Sequence, residues 1–173
     1  MNLIHRKIDF EKDRDYILEC HCRINYACES PWKREMPYSD YRSEWFSLKS
    51  QVSGFYSHLA RTAQDDRTIA EIIETENRSI VGYLWVTFCE DEEADFRFAE
   101  IQEIYIEEEF RRHGVAARLY EYAEMKARQN NAKVIRSGTG LCNDASIRLH
   151  EKLGFAPYRY EFEKLLMSKK DNC

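Results

Sequence analysis

Between Thr68 and Ile106 the chain runs three β-rich segments in close succession, and on both sides of them apolar residues recur at helical intervals. That arrangement leaves few folds open. Thr68 to Thr75 and Ile80 to Cys89 read as a hairpin across the polar Glu76-Asn77-Arg78-Ser79, and Phe96 to Ile106 reads as a third strand. Ahead of them, Leu3 to Asp9 is a short strand, and Asp13 to Ala27 is a helix through Ile17, Cys20, Ile24 and Ala27. Ser30 to Tyr38 holds two of the three prolines and is expected as a loop. Tyr41, Trp45, Leu48, Val52, Phe55 and Leu59, spaced by four and three, predict one long amphipathic helix. After the strands, Gly114 to Asn130 returns to helical spacing. Lys133 to Leu141 is a strand weakened by Gly138 and Gly140, Asp144 to Leu153 a short helix, and Phe155 to Leu166 a last strand. The order β-α-α-β-β-β-α-β-α-β predicts an α/β fold, a mixed sheet covered by helices with a strand-turn-helix step at its centre.

The 173 residues suit one domain, 1–173, since no repeat, linker or low-complexity stretch divides them. Aromatics at 13% exceed what a disordered chain carries. With 31 acidic against 26 basic residues the net charge is −5, which weighs against non-specific nucleic-acid binding. The longest apolar run, Ile80 to Cys89, falls short of a membrane span, and charged residues fill Met1 to Phe10 where a signal peptide would be apolar. Cys20, Cys22, Cys28, Cys89, Cys142 and Cys173 are therefore read as reduced thiols of a soluble cytoplasmic domain.

The informative stretch is Glu103-Ile104-Tyr105-Ile106-Glu107-Glu108-Glu109-Phe110-Arg111-Arg112-His113-Gly114-Val115-Ala116. A strand ends, a charged turn follows, and a helix opens on glycine and small residues beside two arginines. A helix start offers unpaired N–H groups and partial positive charge to phosphate oxygens. Gly114 and Ala116 let such oxygens approach, and Arg111 and Arg112 add charge; solvated arginines at an ordinary helix start are the bland alternative. Neither a P-loop nor a dinucleotide fingerprint occurs. Arg111-Arg112-His113-Gly114-Val115-Ala116 resembles the [QR]-x-x-G-x-[GA] signature of the GNAT superfamily of acyl-CoA-dependent N-acetyltransferases. A second block, Asn143 to Phe155, is similar to that family's N-x-x-A-x-x-L-Y-x-K-x-G-F segment, with His150 where the family has tyrosine.

The resemblance implies a GNAT-like fold and acetyl-CoA as co-substrate, with no metal. It implies that the pyrophosphate sits near Arg111, on the backbone of Arg112, His113, Gly114, Val115, Ala116 and Ala117, with Asn143 nearby. It also implies that the pantetheine arm pairs along Ile104, Tyr105 and Ile106, where the strand of Gly138 and Gly140 parts from this one. The reaction implied is transfer of an acetyl group to a primary amine by direct attack in a ternary complex. Such an amine, with a pKa of ~10.4, must first lose a proton, and the thioester oxygen needs a donor, for which an N–H near Tyr105 or Ile106 is expected.

For the base, Glu100 and Glu103 are the candidates. They point to opposite faces of a regular strand, and a bulge near Glu103 would change that parity. His150 is the candidate acid, with helix capping or a hydrogen bond near the coenzyme as alternatives. Asn143 also reads as a helix N-cap and Gly154 as the residue ending that helix. The rival class is a non-catalytic acyl-CoA-binding regulatory module, which His150 keeps open.

Cys20-His21-Cys22 with Cys28 lacks the spacing of a zinc site, Cys142 lacks a partnered base, and Glu107 to Glu109 reads as a solvated turn. In the loop from Glu29 to Tyr38, Glu29, Trp32 and Tyr38 are candidates to cradle a cationic or aromatic amine, with a merely packed loop as the alternative. The acceptor, a small molecule or the amine of a peptide or protein, stays open, and so does a homodimer. No nucleic-acid or membrane partner is expected.

Overall fold

A computed structural model describes residues 1–93 and 95–166. Five strands form one sheet in the order β1 (Ile4–Lys7), β2 (Ile69–Glu74), β3 (Ile80–Asp91), β4 (Phe96–Ile106), β5 (Val134–Ser137). The first four pair antiparallel, and β5 joins β4 in parallel. The hairpin between β2 and β3 closes through Thr75 N–H to Ser79 C=O, with Arg78 in the left-handed region. β3 is central and buried from Val81 to Phe88, which is why it reads as an unbroken apolar run.

The helices divide between the two faces. α4 (Val115–Gln129) lays Val115, Leu119, Tyr120 and Ala123 on Leu84, Val86, Ala99, Ile101 and Ile106. Leu149 and Leu153 of α5 (Asp144–Lys152) and its vicinity pack against the same cluster. On the other face α1 (Arg14–Cys28) and α3 (Lys49–Thr62) bring Ile17, Cys20 and Leu59 onto Ile72, Tyr83, Trp85 and Tyr105. Each such aliphatic side chain stabilises the fold by about 1.5–3 kcal/mol. α2 (Tyr38–Ser47) lies over α1, where Tyr41 and Trp45 meet Leu18 and Cys22.

Three expectations change. The long helix through Tyr41 and Leu59 breaks at Leu48, whose φ −81° and ψ 68° are not helical. Ser47 Oγ donates to the Glu44 carbonyl beside the break, the kind of local bond that competes with helix. The break lets Trp45 face α1 while Leu59 faces the sheet. The loop from Ser30 to Tyr38 contains a single 3₁₀ turn, Lys33–Glu35, and α2 already starts at Tyr38. The last strand does not form: residues 155–166 carry no regular structure, and Tyr158, Tyr160 and Phe162 are exposed. Their alternation suits a strand, but β5 ends after four residues, at Ser137, ahead of Gly138 and Gly140. Cys20 and Cys22 are buried and Cys28 half-buried; these three, Cys89 and Cys142 are free thiols, while Cys173 lies outside the described residues. Among the described residues, no helix is long and apolar enough to cross a membrane.

Two contacts hold the framework around the site. At the start of α1, Asp13 receives both ends of the Arg6 guanidinium, at 2.7 and 2.9 Å, and the Asp9 N–H at 2.8 Å. Burial pushes this carboxyl up, but the Arg6 and Asp9 hydrogen bonds outweigh it and leave it below the usual range. At the other end of α1, Gly140 passes so close to Cys28 that a Cβ would stand 2.4 Å from its Cα. Arg34 Nη1 donates to the Cys142 carbonyl at 2.9 Å in the same region.

Asp13→Asn should cost about 1–3 kcal/mol of unfolding free energy at neutral pH. Because the folded carboxyl is the stronger acid, its contribution is present above the ordinary value of 3.8 and lost as pH falls through the folded one. The variant's deficit in denaturant unfolding should therefore shrink in acid. Gly140→Ala should force the backbones apart and lower Tm by about 3–10 °C in a thermal scan.

Candidate active site

The site is organised by β4. Its pairing with β3 runs Trp85 with Glu103 and then Val86 with Ile101, so Gln102 is an extra residue in the strand. This β-bulge resets the alternation. Ala99 and Ile101 face the α4 cluster before it, as Ile106 does after it, while Tyr105 belongs to the α1 cluster and Glu103 meets α1. Glu100 and Glu103 thus share the α1 face, which a regular strand would forbid. The expected bulge is present, and it brings the two carboxylates together on one side.

Their surroundings differ. Glu100 is half-buried and accepts from Gln102 Nε2 at 2.9 Å, and that amide also donates to Thr87 at 3.0 Å. Glu103 is buried and in hydrogen-bond contact with His21 Nδ1 of α1. Its Oε2 is buried without a partner among the described residues. Burial pushes the Glu103 carboxyl above the usual range, and the His21 contact opposes this. The imidazole is stacked on Phe55, with ring centres 3.5 Å apart and planes at 13°, and edge-on to Trp45. Asn25 Nδ2, one turn along α1, donates to His21 Nε2 at 2.9 Å.

In the sequence His21 stands out only within Cys20-His21-Cys22, which lacks the spacing of a zinc site. Its four-residue spacing to Asn25 was the available signal; its partner, Glu103, lies 82 residues away. Among the described residues no group of side chains is arranged to hold a metal ion.

Along its other edge β4 pairs with β5 only from Phe98 with Val134 to Ile101 with Ser137. Past that point the chain of β5 turns off through Gly138, and among the described residues no strand pairs with the Ile104 to Ile106 backbone on that side. Ile106 and half-buried Ile104 fill the α4 cluster, and Tyr105 fills the other. The turn that follows places Glu108 and Glu109 in solvent, as expected. Arg112 has φ +63° and Gly114 φ +77°, both left-handed. Gly114 stands at the N-cap of α4, no side chain caps that helix start among the described residues, and the space where a Gly114 Cβ would stand is open. Val115 is core, whereas Arg112, His113 and Gly114 are exposed. Arg111, also exposed, donates from Nε to the Ile106 carbonyl at 2.8 Å and lies over the Tyr105 ring.

On α5, His150 Nδ1 lies 2.7 Å from the Ser146 carbonyl and Nε2 lies 3.0 Å from the Tyr120 hydroxyl. Both partners can accept, so the ring can be held there with one proton or two. Asn143 Oδ1 caps α5 by accepting from Ser146 N–H, and Gly154 follows its last residues with φ +82°, as the helix-end reading expects. In the Glu29 to Tyr38 loop, Trp32 is exposed and Tyr38 donates to Glu19, away from Glu29. Glu29, with Asn25, Cys28, Tyr41, Glu44 and Trp45, instead lines a cavity of about 350 Å³ between α1 and α2. A second cavity, about 390 Å³, lies between Tyr16, Glu19 and Arg23 of α1 and the Tyr105 to Glu109 turn.

The acetyltransferase (GNAT) family model matches residues 26–155. A solved Pyrococcus furiosus protein, provisionally assigned as an acetyl transferase, superposes with a TM-score of 0.67 at 19% identity, over 95% of this chain and 100% of that one. A transcriptional regulator from Bacillus halodurans C-125 gives 0.65 at 17% identity, over 95% and 100%. An uncharacterized N-acetyltransferase of Methanocaldococcus jannaschii is 23% identical over 123 residues, 68% of this chain, which spans about half, 51%, of that relative's length. With three-quarters of its length inside the family match and the sheet, turn and helix arranged as described, the chain belongs to the GNAT acetyltransferase family.

Proposed function

We propose that this chain is an acetyl-CoA-dependent N-acetyltransferase acting on a primary amine by direct attack. The observation that carries the reading is the parting of β4 from β5 directly beside an uncapped helix start. The residues fit the coenzyme. The free edge of Ile104, Tyr105 and Ile106 offers backbone groups for the pantetheine amides to pair with. Arg112, His113 and Gly114 shape the phosphate turn, and the N–H groups of Val115, Ala116 and Ala117 open on it. Arg111 braces this turn against β4, and Asn143 fixes the start of α5. Acetyl-CoA supplies the thioester carbonyl that the amine attacks.

The protein's part is positioning and proton transfer. Glu103, with Glu100 on the same face, draws off the proton that an ammonium acceptor must lose. The cavity between α1 and α2 takes the acceptor, its Glu29 and Glu44 favouring a cation and Tyr41 and Trp45 its alkyl part. His150 returns a proton to the leaving sulfur in this reading, and its contact with the Tyr120 hydroxyl supports a held ring. Neighbours of similar fold include an aminoglycoside acetyltransferase and a ribosomal-protein-alanine N-acetyltransferase, so small and peptide amines both belong in a substrate panel.

Thiol release from acetyl-CoA, followed with spermidine, kanamycin, lysine and an alanine-initiated peptide, should be amine-dependent for at least one acceptor. Tight coenzyme binding without turnover on any of them would overturn the enzymatic reading. Gly114→Glu, which puts a negative charge into the phosphate turn at a left-handed position, should weaken coenzyme A binding at least about 100-fold in calorimetry. Unchanged affinity would place the phosphates elsewhere.

A further inference from the structure

Leu48 continues the apolar spacing of Tyr41, Trp45 and Val52, yet it is 41% exposed and lines the cavity between α1 and α2. We propose that this cavity selects a small primary monoamine with an apolar body, and that Leu48 and Glu44 are its specificity-determining residues. The inference rests on the reading that this cavity takes the acceptor, and it narrows which amine is taken.

Three observations carry it. The first is the helix break. In one continuous helix Leu48 would follow Trp45 into the core, but its backbone is not helical and it joins none of the core clusters. Apolar surface left against water costs free energy in proportion to its area. An apolar ligand body would cover Leu48 together with the buried Tyr41 and Trp45, which line the same cavity.

The second is the charge count. Three charged side chains line the cavity: Glu29 at the end of α1, Lys33 from the loop that follows, and Glu44 from α2. Glu29 is already satisfied, with Lys33 Nζ at 3.3 Å and the Tyr41 hydroxyl donating to it at 2.9 Å. Glu44 is exposed and has no ion pair among the described residues. One uncompensated carboxylate matches one ammonium. The further charges of a polycation would meet Lys33 or the apolar wall, where no acid receives them.

The third is size. About 350 Å³ is at the low end of the ~300–1,000 Å³ usual for small-molecule sites. That volume suits an arylalkyl or alkyl amine and is too small to enclose the several rings of an aminoglycoside.

Thiol release from acetyl-CoA gives kcat/KM for 2-phenylethylamine and hexylamine against spermidine and kanamycin. Both monoamines should exceed both polycations by at least about 10-fold. Leu48→Ser should lower kcat/KM for 2-phenylethylamine about 10-fold, while acetyl-CoA affinity, which also reports a folded protein, stays at the wild-type value. Glu44→Gln should lower it about 3–5-fold at low salt, and the difference should close at high salt because the exposed charge is screened. Binding of neutral 2-phenylethanol, read from the Trp45 indole resonance, should weaken in Leu48→Ser and not in Glu44→Gln. A polycation that matches the monoamines, or either variant with wild-type kcat/KM for 2-phenylethylamine at low salt, overturns the inference and leaves acetyl transfer standing. A wild-type protein that turns over none of the four amines overturns the acetyl-transfer reading instead. The Trp45 resonance then decides the cavity: a shift with 2-phenylethylamine and none with spermidine supports the ligand class, and no shift with either overturns it as well.

Discussion

One extra residue in β4 sets the chemistry of the face above it. With Gln102 bulged, Glu100 and Glu103 both lie toward α1, and the strand still returns Ile106 to the α4 core. Without the bulge, one carboxylate would be driven into the apolar cluster under α4, where an unpaired charge costs several kcal/mol. The strand therefore serves two demands at once. It completes a hydrophobic core on one side and presents acids on the other.

The second constraint is where β5 stops. Four paired residues fasten it to β4, and beyond Ser137 the chain turns away until Gly140 lies against the end of α1. This leaves a gap in the sheet beside Ile104 to Ile106 and at the same time ties the far wall of that gap to the loop after α1. The Arg34 bond to Cys142 reinforces the tie. The cavity between α1 and α2, the buried Glu103 contact with His21 and the open strand edge are consequences of these two local departures from a regular sheet.

Charge is distributed accordingly. Exposed Glu108 and Glu109 lie in the turn after β4, exposed Glu44 lines the cavity between α1 and α2, and exposed Arg112 stands at the start of α4. Of the two arginines expected beside the phosphates, Arg111 donates from Nε to the Ile106 carbonyl and Arg112 is exposed.

Element types were largely legible because they follow from local periodicity. β4 runs from Phe96 to Ile106 as read, α4 starts directly after Gly114, and the β2–β3 turn falls at residues 75–79. The break at Leu48 was not legible, since the apolar spacing continues through it and only the separate packing of α2 on α1 and α3 on the sheet divides it. Neither was the fate of residues 155–166, whose alternation would suit a strand that β5 offers no length to support. By itself the sequence determined the fold class, the glycine turn that opens α4 and the acid-bearing strand, because each is written in neighbouring residues. The tertiary structure decided which face each acid takes and that His21 meets Glu103, because a bulge in one strand and a contact across 82 residues depend on how the core closes.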